Sequence, residues 1–328
     1  MKVLFKVLLA IFALFVLAGI GGYFYFRQQF QAPANQLTVS QLPATTRFAW
    51  RADTTATRIT PHAVLLVPIL LPNCPRTCYL QFDTGAPYTL LYSHALAALQ
   101  ASYPAASPAL KPQAGALQNF PFTIGQGQVA ARTIRVREMG ARTLPADSTA
   151  PFVIGTLGTD LLEGRVLVID YARQRFELRT DVPDSLARRA VFAPLAFEQR
   201  RVLLSAGLQG TDKQLLFDSG SSAFALLTSQ ASWQELAQPG APDQVTPVNS
   251  WGKTLTAHTA PTAARLQIGA TALPLGTVTY IDGTTFMQRT LMRFSGMGGM
   301  LGNKVFSQHT LILDVKGGRF GVVVAPRR

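Results

Sequence analysis

Acidic residues are scarce in this chain. Asp and Glu make up 17 of its 328 residues, against 30 Lys and Arg, and charged residues altogether reach only 14%. A net charge of +13 would suit nucleic acid or an anionic membrane surface. Yet no basic run is longer than the pairs Arg188-Arg189, Arg200-Arg201 and Arg327-Arg328, and no basic stripe alternates with aromatics. That scatter argues against a nucleic-acid partner. The four histidines are dispersed and there are two cysteines, too few clustered ligands for a zinc site, so no metal is expected. Long helical periodicity is missing as well, being confined to stretches such as "SHALAALQ" and "SQASWQELA".

What is present begins at the N-terminus. Lys2 and Lys6 precede twenty uncharged, mostly apolar residues, 7 to 26. At 1.5 Å per residue these span roughly 30 Å, the thickness of a bilayer core. Residues 1–27 are therefore expected to form an uncleaved signal anchor, a single transmembrane helix. A cleaved signal peptide would need a shorter apolar region with a small-x-small site just after it, and Ala32-Pro33-Ala34 lies well past. The two lysines place the N-terminus in the cytoplasm and the bulk of the chain outside it, periplasmic or extracellular; Arg27 works against that bias. Residues 28–45, rich in Gln, Pro and Ala without periodicity, read as a stalk. Cys74 and Cys78, in "PNCPRTCYL", stand between two apolar runs and read as a hairpin loop closed by a disulfide, with two free thiols as the alternative.

Beyond the stalk the chain repeats itself. "YLQFDTGAPYTLLY" (79–92) answers "QLLFDSGSSAFALL" (214–227), 135 positions on. "FTIG" and "LQIG", "GTLGTDLL" and "GMLGNKVF", "VLVIDYARQRFEL" and "TLILDVKGGRFGV" follow in the same order, now 144 positions apart. Each copy is a series of short apolar or alternating runs broken by Gly, Pro, Asn and Asp, the pattern of a mostly-β domain. Two copies imply two similar lobes, 46–180 and 191–328, joined by a linker at 181–190.

A lone Asp-[Ser/Thr]-Gly triplet reads as a turn. Two of them, Asp83-Thr84-Gly85 and Asp218-Ser219-Gly220, each ending an apolar run at the same place in a repeated unit, say more. The glycines permit a tight turn that fixes each carboxylate, and a two-fold relation between the lobes would let the carboxylates meet. Asp170 and Asp314 follow apolar runs and read as turn residues, and His94 and His309 as surface or core histidines.

These motifs resemble the aspartic proteases of the pepsin-like and retropepsin-like superfamily, over about residues 46 to 326. Supporting them are two apolar-apolar-Gly elements, ending in Leu157-Gly158 and Leu301-Gly302, similar to those closing the ψ-shaped loop of that family. The resemblance implies an all-β fold of two pseudo-symmetric, barrel-like lobes and an endopeptidase without cofactor. Asp83 and Asp218 would be its catalytic pair, acting on a peptide or protein substrate. Thr84 and Ser219 resemble the hydroxyl residues that bond across the pair, and Ser221 the residue whose hydroxyl bonds a catalytic carboxylate. Its counterpart, Ala86, has none, so Asp218 is expected to be the ionised partner and Asp83 the protonated one. Flap tips are expected at Gly115 and at Trp251-Gly252, without the tyrosine of pepsin-like flaps. With both lobes in one chain, a monomer is expected. Two other readings remain: a catalytically silent domain that binds peptides or an envelope partner, and a structural scaffold.

Overall fold

The structure is a computed structural model, and it describes residues 19, 22, 32–54, 59–250, 253–283 and 297–324. The described residues from Asn35 onward form one compact unit. The expected anchor, 1–27, lies outside the described residues apart from Gly19 and Gly22. Among the described residues no helix is long and apolar enough to cross a membrane.

The described residues are mostly β-strand. The first half contains β1 (Leu37–Ser40), β2 (Ala44–Arg47), β3 (Ala49–Thr54), β4 (Ile59–Ile69), β5 (Cys78–Phe82), β6 (Leu90–Tyr92), β7 (Ala116–Ile124), β8 (Gly127–Arg137), β9 (Phe152–Leu157), β10 (Val166–Asp170) and β11 (Arg175–Arg179). The second contains β12 (Val191–Glu198), β13 (Arg201–Leu208), β14 (Thr211–Phe217), β15 (Leu226–Leu227), β16 (Gln244–Ser250), β17 (Lys253–Ile268), β18 (Thr271–Asp282), β19 (Met297–Leu301), β20 (Thr310–Asp314) and β21 (Arg319–Val323). A short helical turn, Asp184–Ala187, sits in the connection between the halves.

Side-chain alternation explains the strands. β5 turns Cys78, Leu80 and Phe82 inward and leaves Tyr79 and Gln81 half-buried. β10 reads Val-Leu-Val-Ile, all buried, as expected of a strand covered on both faces. Its Asp170 accepts from the Arg173 N–H at 3.0 Å, and Asp314 at the end of β20 accepts from the Gly317 N–H at 2.7 Å, so both aspartates shape turns.

One sheet runs β1-β8-β6-β9-β5-β4-β3, with β7 beside β8. Within it β5 and β9 are parallel, β6 and β8 are parallel, and β6 and β9 are antiparallel. The second half repeats these relations: β14 with β19, β15 with β18, β15 with β19. The halves are joined by a continuous ladder, β12-β21-β20-β10-β11-β2. At its centre β10 pairs with β20 from Val166↔Asp314 to Asp170↔Thr310, with Val168 opposite Ile312.

Two expectations are corrected. The segment 28–45 is not a stalk throughout. Leu37–Ser40 pairs with β8 and Ala44–Arg47 with β11, and Leu37 and Ala44 are buried. A four-residue edge strand shows only two residues per face, too few for a visible period. Cys74 and Cys78 are free, buried thiols rather than a disulfide. Both sulfurs donate to the Arg76 carbonyl oxygen, at 3.6 and 3.7 Å. Arg76 in turn donates to the carbonyls of Asp147 and Ala150, which ties the loop down without a covalent bond. Burial, then the neighbouring Cys74, push the Cys78 thiol up to about 12, so it holds almost no thiolate at neutral pH. A maleimide should therefore label Cys78 only when the protein is unfolded. Rapid labelling of the native protein, or a mass two protons short, would contradict this picture.

Candidate active site

Each aspartate is delivered by a central strand. Asp83 follows β5, and its N–H donates to the Leu157 carbonyl at 3.0 Å; Asp218 follows β14, and its N–H donates to the Leu301 carbonyl at 2.8 Å. Phe82 and Phe217, the residues just before, are fully buried and pack edge-on against Phe176 and Phe306. Burying a phenylalanine side chain is worth about 1.5–3 kcal/mol, so each aspartate begins from a firmly anchored backbone. The chain then turns. Gly85 N–H donates to Asp83 Oδ1 at 2.9 Å, and Gly220 N–H to Asp218 Oδ1 at 2.9 Å.

The two turns grip one another through reciprocal bonds. Thr84 Oγ1 donates to the Phe217 carbonyl at 2.6 Å and accepts from Ser219 N–H at 2.9 Å. Ser219 Oγ donates to the Phe82 carbonyl at 3.0 Å and accepts from Thr84 N–H at 2.9 Å. All four groups are buried, so each unmade bond would leave a desolvated polar atom, at about 1–3 kcal/mol.

This grip brings the carboxyls of Asp83 and Asp218 together: one point, where a Cβ on Gly85 would lie, is 2.9 Å from Asp218 Oδ1 and 3.1 Å from Asp83 Oδ1. Burial, then the charge of Asp218, push Asp83 up to about 7. Ser221 Oγ donates to Asp218 Oδ2 at 2.8 Å; Ala86, its counterpart, has no hydroxyl to give Asp83. A hydroxyl donor favours the ionised form of a carboxyl. The glycines are required by proximity. A Cβ on Gly85 would sit 2.9 Å from Asp218 Oδ1, and one on Gly220 would sit 2.7 Å from Asp83 Oδ1.

Gly158 and Gly302, beyond Leu157 and Leu301, press against the loops that carry the aspartates. A Cβ there would lie 2.4 Å from the Tyr88 carbonyl carbon and 2.2 Å from the Ser221 oxygen. Gly115 stands at φ +76° in a two-residue turn closed by the pair Gln113↔Ala116. Trp251 and Gly252 lie outside the described residues; the strands flanking them pair from Gln244↔Thr259 to Ser250↔Lys253.

Several supporting residues escaped the sequence reading. Asp160 is buried and accepts from Thr89 N–H, Thr89 Oγ1 and Leu161 N–H at 2.7–3.0 Å. Asn303 donates to the Ser219 carbonyl and to Ser222 Oγ, and accepts from Tyr171 Oη at 2.6 Å. Thr159 Oγ1 bonds the carbonyls of Ala86 and Arg200. Arg200, buried in the turn between β12 and β13, reaches the Pro87 carbonyl at 3.4 Å and Glu163 at 3.2 Å. A signal existed for two of them: Thr159 and Asn303 are the polar residues immediately after the closing glycines of the two repeats. Among the described residues no group of three or more His, Cys, Asp or Glu could hold a metal ion.

No protein-family model matches the chain, and no curated protein matches it.

Proposed function

We propose that the chain is a two-lobed aspartic endopeptidase of the pepsin-like and retropepsin-like kind. The observation that carries the reading is the meeting of the Asp83 and Asp218 carboxyls, held by reciprocal Thr84–Ser219 bonds. The like topology around the two aspartates supports it. So does the β10–β20 register, which is unchanged when the halves are exchanged.

Two carboxyls in contact retain one proton between them, a case treated as a general pattern for this class of enzyme. A water held between them gives a proton to Asp218, and its oxygen bonds to the peptide carbonyl carbon. The Asp83 proton passes to the carbonyl oxygen. Collapse of the tetrahedral diol then returns one hydroxyl proton to Asp83 and passes the Asp218 proton to the departing nitrogen as the C–N bond breaks, which releases a carboxylic acid and an amine and restores the pair. An extended peptide would lie across the pair, and hairpins bearing Gly115 and Trp251-Gly252 would bond its backbone. Residues 1–27 would anchor the enzyme as a monomer in a membrane, with the catalytic part outside the cytoplasm.

The test is cleavage of a mixed peptide library by the full chain from pH 3 to 8. Asp218→Asn and Asp83→Asn should each remove at least about a thousand-fold of the rate. Equal cleavage by either variant, shown to be folded, would refute the assignment. No cleavage by the folded parent at any pH would favour the silent peptide-binding reading.

A further inference from the structure

Among the described residues, two arginines beside the Asp83 loop have no carboxylate in an ion pair with them. β8 alternates so that Arg135 and Arg137 share its exposed face. The Arg135 guanidinium lies 4.9 Å from the Tyr88 ring centroid, and its Nη1 donates to the Tyr88 hydroxyl at 3.5 Å. Burial pushes the Tyr88 hydroxyl up, but bonding and charge from Arg137 and Arg135 outweigh it and hold it below the ordinary phenol value. Glu138, the next acidic residue, is directed at His94 Nε2, 3.9 Å away. Among the described residues neither guanidinium has an ion-pair partner, in contrast to Arg173, Arg175, Arg179, Arg200 and Arg319, which all do.

The position of this cluster matters. β6 begins two residues after Tyr88 and runs parallel to β8, with Leu90↔Arg135 and Tyr92↔Arg137. On the other side Ala116 pairs with Arg135, and Val136 N–H donates to the Gly115 carbonyl at 2.8 Å. The backbone of Arg135 therefore runs between the strand that follows the Asp83 loop and the strand that leaves the Gly115 turn, and its guanidinium lies over Tyr88 of that loop. Tyr88 is five positions beyond Asp83, a span of at most roughly 17 Å. An extended peptide advances about 3.3 Å per residue, so the cluster lies within reach of a side chain two to four residues from the dyad.

We propose that Arg135, Arg137 and Tyr88 select an Asp or Glu side chain of an extended peptide, two to four residues from the bond held at the dyad. A guanidinium meets a carboxylate through two parallel N–H···O bonds, and stacking on Tyr88 holds Arg135 ready for it. The location along the peptide rests on the endopeptidase reading; the preference for a carboxylate does not.

The experiment measures binding and cleavage together. The full chain in detergent is titrated with two labelled, degenerate decapeptide pools. One contains Asp and Glu; the other has Asn and Gln in their place. The acidic pool is expected to bind about ten-fold more tightly, with the ratio shrinking as salt rises. Because a chain of +13 attracts anions anyway, the variants decide. Arg135→Gln/Arg137→Gln should bring the ratio down several-fold, and Arg135→Glu/Arg137→Glu further still. Arg188→Gln/Arg189→Gln removes equal charge from the linker and should leave the ratio in place. A ratio that ignores the Arg135/Arg137 variants, or falls equally with the linker variant, would overturn the proposal. Mass spectrometry of the same samples reads cleavage. Acid preference without cleavage would remove the endopeptidase reading alone, and cleavage without acid preference would remove this one alone.

Discussion

Asp83→Asn should make the folded protein more stable at pH 8 and leave it unchanged near pH 3.5. Asp83 is held up to about 7 by burial and by Asp218, whereas an aspartate in the unfolded chain titrates near 3.9. Below the unfolded value both states carry the proton, and the group contributes its full share to stability. Between about 4 and 7 the unfolded chain releases a proton that the folded one keeps, so stability falls as pH rises. Above 7 the loss levels off at a few kcal/mol, because each tenfold difference in proton affinity between the two states is worth about 1.4 kcal/mol. The asparagine amide has no proton to lose and can still donate to Asp218, so the variant should escape this loss. Urea unfolding of both proteins at pH 3.5, 5.5 and 8 measures it. A stability difference that is the same at all three pH values would show that Asp83 is not held protonated by its partner.

The second large effect is expected from a single methyl group. Gly220→Ala would put a carbon 2.7 Å from Asp83 Oδ1 and 2.8 Å from its Cγ. Real contacts of a Cβ are longer, so the carboxyl must move by about half an ångström or more. Catalysis depends on alignment so closely that a 1 Å misplacement costs about a hundred-fold in rate. Here both the attacking water and the shared proton would be displaced, so a loss of about a thousand-fold or more is expected with the fold retained. The same variant should lower the Asp83 pKa part of the way toward the ordinary range: burial, the largest cause of the raised value, remains, but the carboxyl moves away from Asp218. Carbon-detected NMR titration of the Asp83 carboxyl checks this independently of turnover. A carboxyl that still titrates near 7 in Gly220→Ala would mean that the glycine is not there to let the carboxyls approach.

How much of this was legible in the sequence depended on repetition. Asp83 alone reads as a turn, but Asp218 at the same place in a second copy invites pairing, and the structure brings the two carboxyls together. Thr84 and Ser219 were legible for the same reason. Asp160 was not, because its counterpart in the second copy, 144 positions on, is Lys304, so the repeat does not single it out. Arg200 was hidden in a basic pair that looked like surface charge; a β-turn at positive φ directs it inward. The strands Leu37–Ser40 and Ala44–Arg47 were illegible because their partners, β8 and β11, lie far along the chain. Edge pairing of that kind depends on backbone bonds and leaves little mark on side-chain choice.

The hydrogen bond from Asp218 N–H to the Leu301 carbonyl also imposes an order in time. Translation proceeds at about 5–20 residues per second. The Asp83 loop emerges first, with its threonine hydroxyl and carboxyl as yet unmatched. The partner turn follows only after the linker, and the strand that seats Asp218 later still. A growing chain therefore carries both aspartates for some seconds before it owns a site, and its own exposed backbone passes that interval without an assembled carboxyl pair beside it.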